Sequence, residues 1–351
     1  MEEAAHAVHS ADILLFATGA GWSADSGLAV YKDVADLKVY QDQHIGSRYL
    51  CDPDLLTKNP RMFYGFWMDC MNKYRATKPH EGHAVVKQWM DTRFSFHPIL
   101  HRELCRLVSK CNPQMREHLQ FSSMEIILEL SNVFTPRTES YTSHTMHDQT
   151  VIVGLIRAYS GITYPLTSFY GYTSNVDHHL VESGIQPVYE IHGQVHQWQC
   201  RRGLKCTSTP AVWNSTKSES SVDPETLLFR GDLELLKCTM CSDRTRPNVL
   251  MFQDSCYVEN DVAQRCFELW IRAITRVASW LKIVILEVGC GRTVTTVRDT
   301  TEEMYHRWAR NDCTLIRVNA NASDACISRC KKSISLVMSG KQAIFSLFKP
   351  I

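Results

Sequence analysis

The chain carries almost no net charge: 38 Lys and Arg stand against 37 Asp and Glu, leaving +1. That balance argues against nucleic acid as a generic electrostatic partner. No stretch reaches 18 consecutive apolar residues, so no membrane partner is expected. The first residues, Met1-Glu2-Glu3, are acidic and lack the apolar core of a secretory signal. No dense Lys/Arg run gives a nuclear address. These absences place the chain in a reducing interior, cytoplasmic or nuclear. At 351 residues it is long enough for one large domain with an inserted module, or for two domains.

Cysteine, by contrast, is abundant, at 14 residues. Most lie singly in apolar periodic segments, as Cys105 and Cys266 do, and read as small buried hydrophobes. Cys200, Cys206, Cys238 and Cys241 stand apart. Cys238-x-x-Cys241 has a metal-knuckle spacing, and Cys200 and Cys206 would complete a tetrahedron of four thiolates. The polar, Ser/Thr-rich stretch between them, too poor in apolar residues for its own core, would be held by zinc. The plain alternative is one CxxC pair and two unrelated cysteines. A redox CxxC would need a thioredoxin-like βαβ context, which is missing.

Ile13-Leu14-Leu15-Phe16 is an apolar run that ends in Thr18-Gly19-Ala20-Gly21, a buried parallel strand entering a glycine turn. Similar runs recur at Val249–Phe252, Ile283–Val288 and Thr314–Val318. Between the first two of these, Val262, Cys266, Leu269, Ala273 and Val277 form a helical stripe. The alternation predicts an α/β fold, a doubly wound parallel Rossmann-like sheet with a smaller zinc-binding module. The expected layout is a Rossmann-like domain from 10–90, 169–200 and 246–325, a zinc module at 200–245 and a C-terminal extension at 326–351. Residues 91–168, with a possible helix at 119–134, carry no motif. They read as an insertion of uncertain status, either a lid or a stretch foreign to the fold.

Gly19-x-Gly21-x-x-Ala24 matches the dinucleotide fingerprint in its Gly-to-Ala variant. The first glycine allows the turn, the second admits a pyrophosphate, and the small third residue lets helix and strand pack. No strand ending in an acidic residue follows about 20 residues on; Tyr40 to His44 reads as a polar, aromatic loop. An ordinary dehydrogenase is therefore disfavoured. Ser174-Asn175-Val176-Asp177 follows a plausible strand, Phe169–Thr173, and could aim an amide and a carboxylate into one crevice. Its plain alternative is an Asx turn opening a helix at 178–183. His192 follows a short apolar run. It reads as a general base, as a metal ligand with His196 and Cys200 on one helix face, or as a structural histidine.

In this order the motifs resemble the sirtuins, NAD-dependent protein deacylases. Thr18-Gly19-Ala20-Gly21-Trp22-Ser23-Ala24-Asp25-Ser26-Gly27-Leu28 looks like the family's first NAD loop, and Thr173-Ser174-Asn175-Val176-Asp177 like its Gln-Asn-Ile-Asp segment, with Ser174 replacing Gln. Glu190-Ile191-His192-Gly193 matches Glu-x-His-Gly, and the four cysteines match the zinc module. Residues 246–254 resemble the strand after that module. Val288-Gly289-Cys290-Gly291 stands where Val-Gly-Thr-Ser would be, and Arg317-Val318-Asn319 where the adenosine-side Asn strand would be. The resemblance covers about residues 10–90 and 169–325.

It implies NAD as co-substrate, structural zinc, and an acyl-lysine protein or peptide as partner. The acyl group would pass to ADP-ribose as nicotinamide leaves. His192 would be the base, Asn175 would order the ribose and a water, and Asp177 would hold the carboxamide. Gly19, Ala20, Gly21, Ala24, Tyr31, Lys32, Ser174, Gly289, Cys290 and Asn319 would line the cofactor site. Two departures matter. Val30 and Lys32 stand where the family has Asp and Arg, so a carboxylate is lost and a bidentate guanidinium becomes a point charge. NAD hydrolysis, ADP-ribosyl transfer or a catalytically weak NAD-binding module are the alternatives these changes leave open.

Overall fold

The computed structural model describes residues 1–30, 38–41, 45–111, 166–207, 210–215 and 222–348. Six parallel strands form the main sheet: β1 (Ile13–Thr18), β2 (Phe169–Thr173), β3 (Val188–Glu190), β7 (Lys282–Val288), β8 (Asp312–Asn319) and β9 (Ser333–Val337). Their order is β3-β2-β1-β7-β8-β9. The chain builds outward from β1 in one direction through β2 and β3, then returns to its other side for β7, β8 and β9. The reversal falls between β1 and β7, where a doubly wound sheet opens its ligand crevice.

Strand β1 is buried at every residue, and its alternation feeds two layers. Ile13, Leu15 and Ala17 pack with Trp270, Ile274 and Leu104, while Leu14 and Phe16 pack with Trp22, Val86 and Ile344. The helical stripe expected from sequence is the helix Asp261–Val277, capped by Asn260 Oδ1, which accepts from the Ala263 amide at 3.0 Å. Cys266, Leu269, Ala273 and Val277 are buried in it; Val262, in its first turn, is exposed.

Parts of two segments set apart by sequence lie within this core. The helix Pro98–Cys111 buries Leu100, Leu104 and Leu107 beside Trp270. Trp270 Nε1 donates to the Thr167 carbonyl at 2.9 Å. Residues 333–348 add β9 and the helix Gly340–Phe348, so the stretch read as an extension completes the sheet. The Lys341 amide donates to Asp25 Oδ2 at 2.7 Å, which docks that helix on the loop after β1. The possible helix at 119–134 lies outside the described residues.

A second sheet has three strands: β4 (Gly193–Cys200), β5 (Val212–Asn214) and β6 (Thr245–Val249), antiparallel in the order β5-β4-β6. Its apolar face, with Val195, Trp198 and Val249, packs on the helix Pro60–Ala76 through Phe63, Tyr64 and Trp67. The run at 249–252, expected as a parallel strand, is corrected here. Only Val249 is strand, and it belongs to the small sheet. A buried ion pair, Arg246 to Asp254 at 2.6 Å, folds the following residues back, a tie that a four-residue apolar run does not reveal. Tyr40, expected in a polar loop, is buried on the short helix Lys38–Gln41; residues 42–44 lie outside the described set. Two buried ions also face each other inside the main sheet: Glu287 on β7 and Arg317 on β8, 2.6 Å apart. Among the described residues, no helix is long and apolar enough to cross a membrane.

Candidate functional site

The loops that leave β1, β2, β3 and β7 meet at the carboxyl edge of the sheet. Gly19 follows β1 and caps a five-residue helix, Ala20–Ala24. The Gly21 amide donates to the Gly289 carbonyl at 2.9 Å. A Cβ on Gly21 would lie 2.7 Å from Gly289 Cα, and one on Gly19 would lie 2.9 Å from Cys290 Cα. Gly289 itself has φ +69. The two loops therefore interlock glycine against glycine. The close approach that Gly21 permits is made by Gly289, whereas the sequence suggested a pyrophosphate there. Ala24 ends the short helix, half-buried. The Cys290 side chain is buried, and its carbonyl accepts from Asn319 Nδ2 at 3.1 Å, which joins the β7 and β8 loops. Tyr31 and Lys32 lie outside the described residues.

The loop after β2 closes on the first glycine loop. Asn175 Nδ2 donates to the Gly19 carbonyl and to Ser23 Oγ, each at 2.9 Å. Ser23 Oγ donates in turn to Asp177 Oδ2. Asp177 Oδ1 accepts from the His179 amide at 2.9 Å. The Asx turn weighed from sequence is thus present, opening the short helix His179–Glu182, and the same carboxylate also anchors the first glycine loop through Ser23. Behind it, Thr18 Oγ1 donates to Thr173 Oγ1 at 2.8 Å across β1 and β2. Ser174 is half-buried, and its amide donates to the Thr18 carbonyl at 3.3 Å.

His192 sits in the turn between β3 and β4, two residues past the strand end. The reading of His192, His196 and Cys200 as one helix face is corrected: residues 193–200 are strand β4, with a bulge between Gln194 and Trp198. Gly193, at φ +72, makes the reversal; a Cβ there would meet the Asn248 carbonyl at 2.1 Å. The His192 carbonyl accepts from the Leu250 amide at 2.9 Å. Burial pulls the His192 imidazole below its ordinary value, and a hydrogen bond with the Ser174 backbone offsets part of that. A neutral imidazole at neutral pH is the form that accepts a proton.

Sequence reading passed over three partners at this edge. Ser23 lay inside the quoted loop without a role, yet it joins Asn175 to Asp177. Trp22 Nε1 donates to His83 Nε2 at 2.9 Å, and His80 stacks edge-on to the same indole. Burial drives His83 down to about 3, so it stays a neutral acceptor. His178, at φ 69, pairs with Glu190 at 2.9 Å. A non-glycine residue in that region costs about 1–2 kcal/mol.

Cys200, at the end of β4, converges with Cys206, Cys238 and Cys241; their sulfurs all lie within 4.8 Å of one another. Sγ separations are 3.5 Å for Cys200–Cys241, 3.6 Å for Cys206–Cys241 and 3.7 Å for Cys206–Cys238. Thiolates about 2.3 Å from a tetrahedral zinc sit roughly 3.8 Å apart, so the donor set fits that ion. His196 is not in this group; its Nε2 is buried without a hydrogen-bond partner among the described residues.

A doubly wound sheet with glycine loops at its switch point and four clustered thiols beside it defines a class: Rossmann-like α/β proteins with a four-cysteine knuckle able to hold a metal. The Sir2 family model matches residues 158–270, the stretch holding Asn175, Asp177, His192 and all four thiols. Among solved structures, the fold resembles a Sir2 homolog–NAD complex at 15% identity and TM-score 0.57, covering 99% of this chain and 92% of that one. It also resembles a mutant Sir2 homologue with ADP-ribose, at 16% identity and TM-score 0.55, covering 99% and 95%. A structure on sirtuin substrate affinity matches at 14% identity and TM-score 0.51, covering 99% and 97%. A search of curated proteins finds no match. Residues 158–270 thus match the Sir2 family model, and the chain as a whole has a fold similar to that of Sir2 homologues.

Proposed function

We propose that the protein is an NAD-dependent protein deacylase acting on acyl-lysine, most simply acetyl-lysine. One observation carries this reading: the loops after β1 and β7 meet at the switch point of the sheet, with Asn175, Asp177 and the His192 turn arriving at the same edge. The similar structures named above hold NAD in one case and ADP-ribose in another. We assign such a group to the edge where the Gly19 and Gly289 loops meet on one side and the Asn175 amide and Asp177 carboxylate of the β2 loop stand on the other.

When bound, NAD would supply an electrophilic ribose carbon with nicotinamide as its leaving group. The chain's own residues do the rest. Asn175, held by Gly19 and Ser23, orders the ribose side and a water. Asp177, held by Ser23 and the His179 amide, receives the carboxamide. His192, kept neutral by burial, takes a ribose hydroxyl proton. Four thiolates leave zinc no open position, so its role is structural. The peptide would add as a strand between sheet and module. We further propose a reducing compartment, cytoplasmic or nuclear, in which the four thiols stay available to metal.

Incubating the protein with NAD, with and without an acetyl-lysine peptide, tests this. Nicotinamide released only with peptide is the expected result. Val30, in place of a carboxylate, favours a second reading, NAD hydrolysis or ADP-ribosyl transfer, which would release nicotinamide without peptide. NAD binding with no release would instead mark a catalytically weak interaction module. A His192→Ala variant with full peptide-dependent turnover would overturn the assigned base.

A further inference from the structure

His178 takes no part in the chemistry above, yet it is tied to the turn that carries His192. It lies on the loop leaving β2, and its partner Glu190 ends β3. Nδ1 is 2.9 Å from Glu190 Oε1, with the side chains 24% and 15% exposed. The other Glu190 oxygen accepts from Gln194 Nε2 at 3.4 Å. Glu190 and Gln194 stand two residues to either side of His192. One carboxylate therefore bridges both shoulders of the turn, and His178 fixes that carboxylate from another element.

We propose that His178 is a positioning residue: as the cation of a half-buried pair with Glu190 it holds the turn that presents His192, and its deprotonation loosens that turn. The proposal rests on the reading of His192 as the base. The backbone adds a constraint: a left-handed φ of 69 is uncommon outside glycine, though Asn, Asp and His adopt it more readily than other side chains. Its charged neighbours favour the cation. Glu190, Glu182 and Asp177 all pull the His178 proton affinity up, against burial, and the net direction is upward. Glu190 faces Asp177, Glu182 and Tyr257, and burial raises it. His196, on β4, also faces His178 and lies near Arg75. A raised histidine stabilises below its unfolded value, and that contribution is lost as pH rises through the raised folded value. The turn is accordingly tightest on the acid side of His178's titration.

Amide hydrogen exchange reads the turn without substrate. The Leu250 amide donates to His192, and the Ile191 amide donates to Thr173 at 2.9 Å. His178→Asn keeps the left-handed backbone and removes the cation. It should exchange about tenfold faster at Leu250 and Ile191, with β7 and β8 amides unchanged. In the unsubstituted protein these two amides should lose extra protection as His178, followed by its ring NMR signal, deprotonates; the Asn variant should lack that step. Glu190→Gln should reproduce the same pattern should the first variant fold poorly. With NAD and acetyl-lysine peptide, kcat should drop while KM holds, and the alkaline limb of kcat should move. Unchanged protection at Leu250 and Ile191, or a raised KM with kcat kept, would overturn the proposal. An unsubstituted protein with no turnover would overturn the functional reading alone, and the exchange result would still decide the role of His178.

Discussion

At the scale of single residues, the site is held by small groups whose work is to touch protein. Gly21→Ala would drive a methyl to 2.7 Å from Gly289 Cα and 3.0 Å from its carbonyl, both backbone. Overpacking of this kind costs about 1–3 kcal/mol. A fall in melting temperature and loss of NAD binding by calorimetry are the expected outcomes. Ser23→Ala would leave Asp177 without one donor and Asn175 without one acceptor. A buried group stripped of its partner costs about 1–3 kcal/mol, so urea titration should show that loss with the slope unchanged. A glycine turn was legible in the sequence because a buried apolar run ends in Gly-x-Gly, a pattern that by itself fits a plain turn as well as a dinucleotide loop. Its actual partner was not, because Gly289 lies 268 positions further along the chain and only the strand order brings it near.

At the scale of elements, β4 joins the two halves of the site. It begins after the His192 turn and ends in Cys200. Metal analysis should find about one zinc per chain, held by the four thiols. Chelation should then expose the amides of β4–β6 to exchange while β1, β7 and β8 stay protected, since a module this polar draws its folding energy from the metal. Cys238 and Cys241 were readable from spacing, whereas Cys200 and Cys206, with five residues between them, are looser than the usual knuckle. The strand between His192 and Cys200 was not readable, since a four-and-four spacing suits a helix face as well as alternate strand positions. The helix Pro98–Cys111 makes the complementary point. Nothing in its sequence is a motif, yet Leu104 is 1% exposed beside Trp270. Leu104→Ala should cost about 2–5 kcal/mol. Deleting 93–168 should give aggregation, read by light scattering.

At the scale of the whole molecule, buried histidines set the response to acid. Burial holds His80, His83, His97, His101, His192 and His196 below their ordinary value. For each, the unfolded chain binds a proton that the folded chain refuses, so stability falls as pH drops below about 6.5. His178 and Glu190 run the other way, since both are raised. Six groups against two predict a lower urea midpoint at pH 5 than at pH 7, with net proton uptake on unfolding. Each unit of pH is worth at most about 1.4 kcal/mol per group. The doubly wound class was legible from alternating runs and stripes. The limits of the sheet were not, because Ser333–Val337 is a short edge strand in which only Leu336 is buried.

Glu287 and Arg317 are direct partners in the register of β7 and β8, and Thr301 Oγ1 adds a hydrogen bond to Glu287 at 2.5 Å. A slip of one residue would set the carboxylate against Ile316 or Val318 and turn the guanidinium toward the opposite face. Each unpaired ion buried that way costs several kcal/mol. The pair is then a key cut for one alignment, which rejects mispaired intermediates during assembly. One step beyond it, Val288 meets Val318 and the Gly289 amide reaches the Val318 carbonyl at 2.9 Å. The loops after β7 and β8 arrive level because a pair of charges inside the sheet admits no other match.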